Sequence, residues 1–273
     1  MAPRLPLEVI ERIIDDVAPD PEYDDIVYNN LSSESIKVCA LVCHSLLPLC
    51  RKHIFASVTL NAGRSPATSD DLNHLLLNSP HLAVYIRELN YHVIKKEFGP
   101  KRSPWLLSMF KKLVGLQKLR ISYFPAAGGR KLNWIAFPER MVLLPLLHLP
   151  TLTSICLEGI RNFPLAHLAG CANLKRLEIQ SLECSNGVGK FLEVLPPTPV
   201  MLERLEICMG NVKPVQRLCD ARRPDGKPII DFSSLRKIRA EVARLDSMTE
   251  LFGLCRNLNK IGLYSLSPTL FLH

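Results

Sequence analysis

"LKRLEI" at 174–179 and "LERLEI" at 202–207 repeat one frame: an apolar residue, two variable ones, an apolar one, a variable one and an apolar one. Five further stretches keep it, "IRELNY" (86–91), "LQKLRI" (116–121), "LTSICL" (152–157), "LRKIRA" (235–240) and "LNKIGL" (258–263). Successive starts lie 30, 36, 22, 28, 33 and 23 residues apart. The two-residue alternation closing each frame is the signature of a strand, and its return along the chain marks a repeat. Helix-like pieces lie between the frames: "SPWLLSMFKKLV" (103–114), "PERMVLLPLLHL" (138–149), "GKFLEVL" (189–195) and "LDSMTELFGLC" (245–255). Strand and helix alternating in one direction predict an α/β fold, a curved parallel sheet with helices along one face.

The frame also assigns faces. Alternating inward positions, such as Leu177 and Ile179 or Leu205 and Ile207, are expected in the core, with the residues between them on an open, concave side. The third frame position holds Glu88, Lys118, Ser154, Arg176, Arg204, Lys237 and Lys260, basic in five of seven strands. Strands pair about 4.8 Å apart, so this column stacks like charges at a cost of a few tenths of a kcal/mol per pair or more. Two sources of negative charge fit. One is internal: Glu178 and Glu206 at the fifth position and Glu158 and Glu241 at the seventh, two and four residues further along the same strands. The other is an acidic or phosphorylated protein client, clamped by Lys118, Arg176, Arg204, Lys237 and Lys260 through charge-assisted hydrogen bonds.

The net charge of +8 divides unevenly. Residues 1–60 carry five Lys and Arg against nine Asp and Glu, a balance of −4, and residues 61–273 carry +12. A boundary at residue 60 is therefore expected, a small helical module before it and the repeat after it. The 273 residues are 47% hydrophobic, enough for a sizeable core. The opening "MAPRLPLEVIERI" carries charges throughout and is not a secretory signal, and apolar runs such as "MVLLPLLHL" (141–149) fall short of the roughly 18–20 residues that a bilayer demands. Nine cysteines, an odd number in mostly apolar surroundings, read as reduced core thiols. The expectation is a soluble chain of the cytoplasm or nucleus.

In the N-terminal module, "RLPLEVIERIIDDV" (4–17) places Pro6 and Glu8 where a helix starts, and Val9, Ile10, Ile13, Ile14 and Val17 form an apolar stripe that should be buried. "APDPEYDDIVYNN" (18–30) reads as an acidic loop, and it lacks the central glycine of a calcium loop. The serines of "LSSES" (31–35) offer a cap for a second helix, which Pro48 bounds at Leu47. That helix includes most of "CALVCHSLLPLC" (39–50), nine of whose twelve residues are apolar. On a wheel of about 100° per residue only Lys37 and His44 hold a polar sector. Some 60 residues cannot cover so much apolar surface, so the second domain or another protein must. Cys39, Cys43, Cys50 and His53 lie close in sequence, but no CxxC pair occurs, and they read as packing residues rather than zinc ligands.

"LPLEVIERII" (5–14) followed by "VCALVCHSLLPLCRKHIF" (38–55) resembles the F-box pattern: Leu-Pro-x-Glu opening an apolar helix, then Leu-Val-Cys in a second. Leu5, Pro6, Glu8, Ile10, Ile14, Leu41, Val42, Cys43 and Phe55 fall on it, and Leu46 stands where the family commonly has tryptophan. The remainder is similar to F-box proteins with degenerate leucine-rich repeats, whose units run roughly 20–29 residues, so the longer gaps imply insertions. The resemblance implies a non-catalytic receptor in which Leu5, Pro6, Ile10, Ile14, Leu41, Val42, Cys43 and Leu46 dock on a Skp-family adaptor. Through that adaptor come the cullin and RING subunits of a ubiquitin ligase, while the repeat holds a client.

No cofactor or catalytic residue is expected. "NGVGKF" (186–191) lacks the phosphate-loop spacing, no GxSxG or HExxH occurs, and no histidine sits beside an obvious nucleophile. The rival reading is a nucleic-acid-binding or scaffold repeat protein without ligase association. It rests on an isoelectric point near 9.1 and basic pairs at 95–96, 101–102, 111–112, 130–131 and 222–223, which lack the interleaved aromatics of single-strand readers.

Overall fold

The structure is a computed structural model, and it describes residues 6–18, 26–62, 66–94, 103–124, 130–185, 195–208, 213–241 and 248–264. The helices are α1 (Leu7–Val17), α2 (Ile26–Val42), α3 (Leu47–Ile54), α4 (Pro66–Asn78), α5 (Ser103–Phe110), α6 (Arg140–Leu147), α7 (Lys213–Asp220) and α8 (Thr249–Leu254). The strands are β1 (Ser57–Ala62), β2 (Glu88–Val93), β3 (Lys118–Tyr123), β4 (Leu132–Asn133), β5 (Ser154–Glu158), β6 (Ile160–Phe163) and β7 (Arg176–Gln180). They continue with β8 (Glu183–Cys184), β9 (Val200–Met201), β10 (Arg204–Cys208), β11 (Ile230–Asp231), β12 (Lys237–Glu241) and β13 (Lys260–Tyr264). Two 3₁₀ segments cover Pro80–Tyr85 and Leu165–Gly170.

The fold is α/β, built on an eight-stranded sheet that runs β1-β2-β3-β5-β7-β10-β12-β13 in chain order. Every pairing in it is parallel. Each of the seven frames forms one strand, starting at the third frame position. The register is pinned just before that point, where the backbone carbonyl of Ala56, Arg87, Gln117, Thr153, Lys175, Glu203 or Arg236 accepts two N–H groups from the next strand's start. Frame positions four and six then fall on one face. Leu119 and Ile121, Leu177 and Ile179, Leu205 and Ile207, and Ile238 and Ala240 all lie in one continuous core with Met109, Leu143, Leu146, Leu218 and Leu251 of the helices. Positions three and five face the other way.

The eighth strand, β1, was not among the frames expected above. "FASVTL" (55–60) has the same apolar spacing, and Ala56 carries the same double acceptor. The boundary expected at residue 60 thus falls inside a strand of the sheet. A further layer also lies outside the sequence reading. β4, β6 and β8 form a short parallel sheet, and β9 pairs with β11. The chain enters this layer through sharp corners at Gly159 (φ 67°) and Ser181 (φ 50°), directly after β5 and β7. A Cβ on Gly159 would stand 2.1 Å from the Tyr123 carbonyl oxygen, so only glycine fits there.

The N-terminal helices have a small core of their own, Ile14, Ala18, Ile36 and Cys50. The Lys52 ammonium also bridges Glu11 and Asp15 of α1, at 2.8 Å each, and His53 Nε2 lies 2.7 Å from Asp15. Two expectations need correction. The second helix runs from Ile26 to Val42, taking in residues 26–30 of the expected acidic loop and ending short of Leu47. Leu47 and Pro48 instead open α3, because proline in a first helical turn gives up no hydrogen bond and starts a helix as readily as it stops one. Of the α1 stripe only Ile14 is buried, while Val9 and Ile13 stay substantially exposed. Leu5, residues 19–25, residues 186–194 and the terminal "SPTLFLH" lie outside the described residues. Among the described residues no helix is long and apolar enough to cross a membrane.

Candidate functional site

The basic column expected from the frames forms in register. Lys118, Ser154, Arg176, Arg204, Lys237 and Lys260 are direct neighbours on successive strands. One row further along lie Arg120, Cys156, Glu178, Glu206 and Arg239. Glu178 and Glu206 are buried, at 9% and 4% exposure.

These side chains link into one chain of alternating sign. Arg120 reaches Glu158 at 3.6 Å and Glu178 at 3.4 Å. Arg176 reaches Glu178 at 3.9 Å and Glu206 at 2.9 Å, and Arg239 reaches Glu206 at 3.8 Å. Three carboxylates and three guanidinium groups therefore alternate across five neighbouring strands. Arg176, expected as a client contact, is a link of this internal network. Arg120 and Arg239 were not singled out from the sequence. They occupy the fifth frame position, the same column as Glu178 and Glu206, and comparing that column's signs would have found them. Glu241 lies at the end of β12, and its side chain is outside the described residues.

Beyond the network, the first row keeps Lys118, Arg204, Lys237 and Lys260. Neither Arg204 nor Lys237 makes an ion pair or side-chain hydrogen bond among the described residues. Burial first, then repulsion from Arg204, Arg239 and Lys260, lowers the pKa of Lys237 against an opposing pull from Glu206. Around Arg204 and Lys237, positive charge outweighs negative among the described residues. Lys118, Arg204 and Lys237 line a groove of about 410 Å³ along the strand starts, with Ser154, Lys175, Arg176 and Arg236, and Lys260 stands on the strand beside it. The groove's one carboxylate, Glu203, is held by Lys175 at 3.0 Å.

The second candidate surface is the end of α2. Leu41 is 87% exposed, Val42 70% and Val38 62%. Of the residues expected at an adaptor contact, Pro6, Leu41, Val42 and Cys43 are exposed, and Ile10 and Leu46 are half-buried against the small core. Ile14 lies within that core and supports the surface from beneath. Val38 was not singled out, although it stands one helical turn before Val42 and shares its side of the helix. The Cys43 thiol lies 3.1 Å from the Ser45 hydroxyl. That contact, with the Leu46 backbone amide, lowers its pKa.

Several other reactive-looking groups are enclosed. Burial pushes the Cys171 and Cys219 thiols up to about 12 and Cys184 to about 11. Ser122 and His92 Nδ1 share a hydrogen bond, but Ser122 is fully buried. Among the described residues no three of His, Cys, Asp and Glu come together as metal ligands. A scan against protein-family models finds none that matches this chain.

Proposed function

We propose that the chain is a non-catalytic substrate receptor of a cullin-RING ubiquitin ligase. In this reading the N-terminal helices are an F-box-like module that docks on a Skp-family adaptor, and the sheet is an irregular leucine-rich-repeat solenoid whose open face takes a protein client. The observation that carries it is the exposure of Leu41, Val42 and Val38 on a helix anchored by Ile36 and Cys50. Singly exposed apolar side chains are ordinary, but three neighbours on one helix face are a docking surface in search of cover. The adaptor named by the resemblance at "LPLEVIERII" and "VCALVC" is that cover. Chain-order parallel strands with helices along one face support the solenoid part.

Proximity would be the chemistry. Holding a client lysine near a charged ubiquitin carrier raises its effective concentration, and no side chain of the receptor needs to react. The test is co-expression of the full chain with a Skp-family adaptor. Stable co-purification that Leu41→Asp/Val42→Asp abolishes is the expected result. A monodisperse chain that ignores the adaptor, or one whose capture survives both aspartates, overturns the proposal.

A further inference from the structure

The alternating network leaves a remainder that is spatially organised. Its three carboxylates are matched by Arg120, Arg176 and Arg239, so the first row keeps its own positive charge. Arg204, Lys237 and Lys260 stand on three consecutive strands, at a strand spacing of about 4.8 Å. The folded chain holds cations together there, with no ion-pair partner among the described residues for Arg204 or Lys237, beside an open groove of about 410 Å³.

We propose that Arg204 and Lys237, with Lys260 beside them, form a subsite for a phosphorylated side chain of the client. This deepens the receptor reading and rests on it, because the phosphate is taken to belong to a protein. A phosphate monoester brings a charge of about −1.5 to −2 and three acceptor oxygens. Arg204 offers a planar fork that can engage two of them, and Lys237 supplies a point charge from the adjacent strand. A carboxylate brings only about half to two-thirds of that charge. The Arg236 guanidinium, also on the groove wall, can complete the oxygens' hydrogen bonds.

The surroundings favour a local dianion over a nucleic-acid strand. Ser154 interrupts the cationic row between Lys118 and Arg176. The run of cations is therefore short, Arg176, Arg204, Lys237 and Lys260, with Arg176 already paired. None of the residues lining the groove is aromatic, so bases would find no stacking platform.

The experiment measures capture of the full chain by an immobilised degenerate peptide library with a fixed central phosphoserine, against the same library unphosphorylated. Free O-phosphoserine, inorganic phosphate and oligodeoxythymidine serve as competitors at constant ionic strength. We expect a phosphate-dependent preference of about tenfold or more, competed by phosphoserine and by inorganic phosphate. Arg204→Gln/Lys237→Gln should erase the preference with an unchanged melting temperature, and Lys111→Gln, remote from the groove, should keep it. Equal capture of both libraries, a preference that survives in the double variant, or displacement by oligodeoxythymidine alone overturns the subsite. If the double variant does not fold, competition on the unaltered chain decides, and phosphopeptide capture that free phosphoserine cannot displace also overturns it. Failure here with adaptor capture intact leaves the receptor reading standing, whereas loss of adaptor capture with phosphopeptide selection retained removes only that reading.

Discussion

Replacing Glu206 by glutamine keeps the volume of the side chain and one acceptor oxygen while removing its charge. The carboxylate is almost wholly buried, 2.9 Å from Arg176 and 3.8 Å from Arg239. Two like charges about 5 Å apart at an effective dielectric near 20 repel by roughly 3 kcal/mol, which sets the scale of what Glu206 holds down between Arg176 and Arg204. Stripping one partner from a buried ion pair typically costs about 3–5 kcal/mol. Arg176 retains Glu178, and Arg239 is about one-third exposed, so part of that cost is recovered by the remaining link and by water. The expected loss is about 2–3 kcal/mol, or roughly 5–10 °C in melting temperature. Urea unfolding of Glu206→Gln, Arg176→Gln and the double variant measures it. The two substitutions share one interaction, so their effects should fall short of additivity by about 1 kcal/mol or more. Glu203→Gln is the control: its pair with Lys175 is exposed on both sides, and its loss should stay within about 0.5 kcal/mol. A Glu206→Gln deficit under about 0.5 kcal/mol, or strict additivity with Arg176→Gln, would refute the idea that the network neutralises the face.

Gly159→Ala forces a Cβ to 2.1 Å from the Tyr123 carbonyl at a positive φ, so a loss of about 3 kcal/mol or more is expected in chemical denaturation. Leu41→Asp/Val42→Asp should leave stability within about 0.5 kcal/mol per site while abolishing adaptor capture, whereas Ile36→Asp, at a fully buried position, should unfold the N-terminal helices as seen by circular dichroism. Burial, then the neighbouring His148 and Arg140, holds His167 at about 4, against about 6.5 in the unfolded chain. The unfolded state therefore takes up the proton first, and His167 withdraws stability as pH falls from about 6.5 to about 4. That is about 2 kcal/mol once solvent screening is allowed for, and the slope should flatten in His167→Phe, which keeps a ring against Trp134 and Phe163.

What could be read in advance divides by the range over which it is determined. The seven frames were legible because each is a local pattern, and because a carbonyl two residues into every frame fixes the next strand's register, which carries a column in the sequence directly into a row in space. "FASVTL" obeys the same rule but follows α3 after a turn of only two residues, Phe55 and Ala56, neither of them a turn-forming residue, so it reads as a continuation of the helical segment. β6 and β8 were not legible: their pairing depends on the corners at Gly159 and Ser181, and nothing in "IRNF" or "EC" announces a strand. The charges behaved in a third way. Their column was visible, but which cation each carboxylate takes depends on side-chain reach between strands, so Arg176 could not be told from Arg204 by frame position. Both occupy the third place of nearly identical frames, "LKRLEI" and "LERLEI". Each is followed two residues later by a glutamate, yet Arg176 leans across to the next strand's Glu206 and Arg204 is left over. The reason lies on the far side of the sheet row: β12 offers Arg239 where β7 and β10 offer glutamates, so among the described residues that column has no further carboxylate for Arg204. A surplus of positive charge at that end follows from the parity of one column, and parity is a property of the whole row rather than of any single repeat.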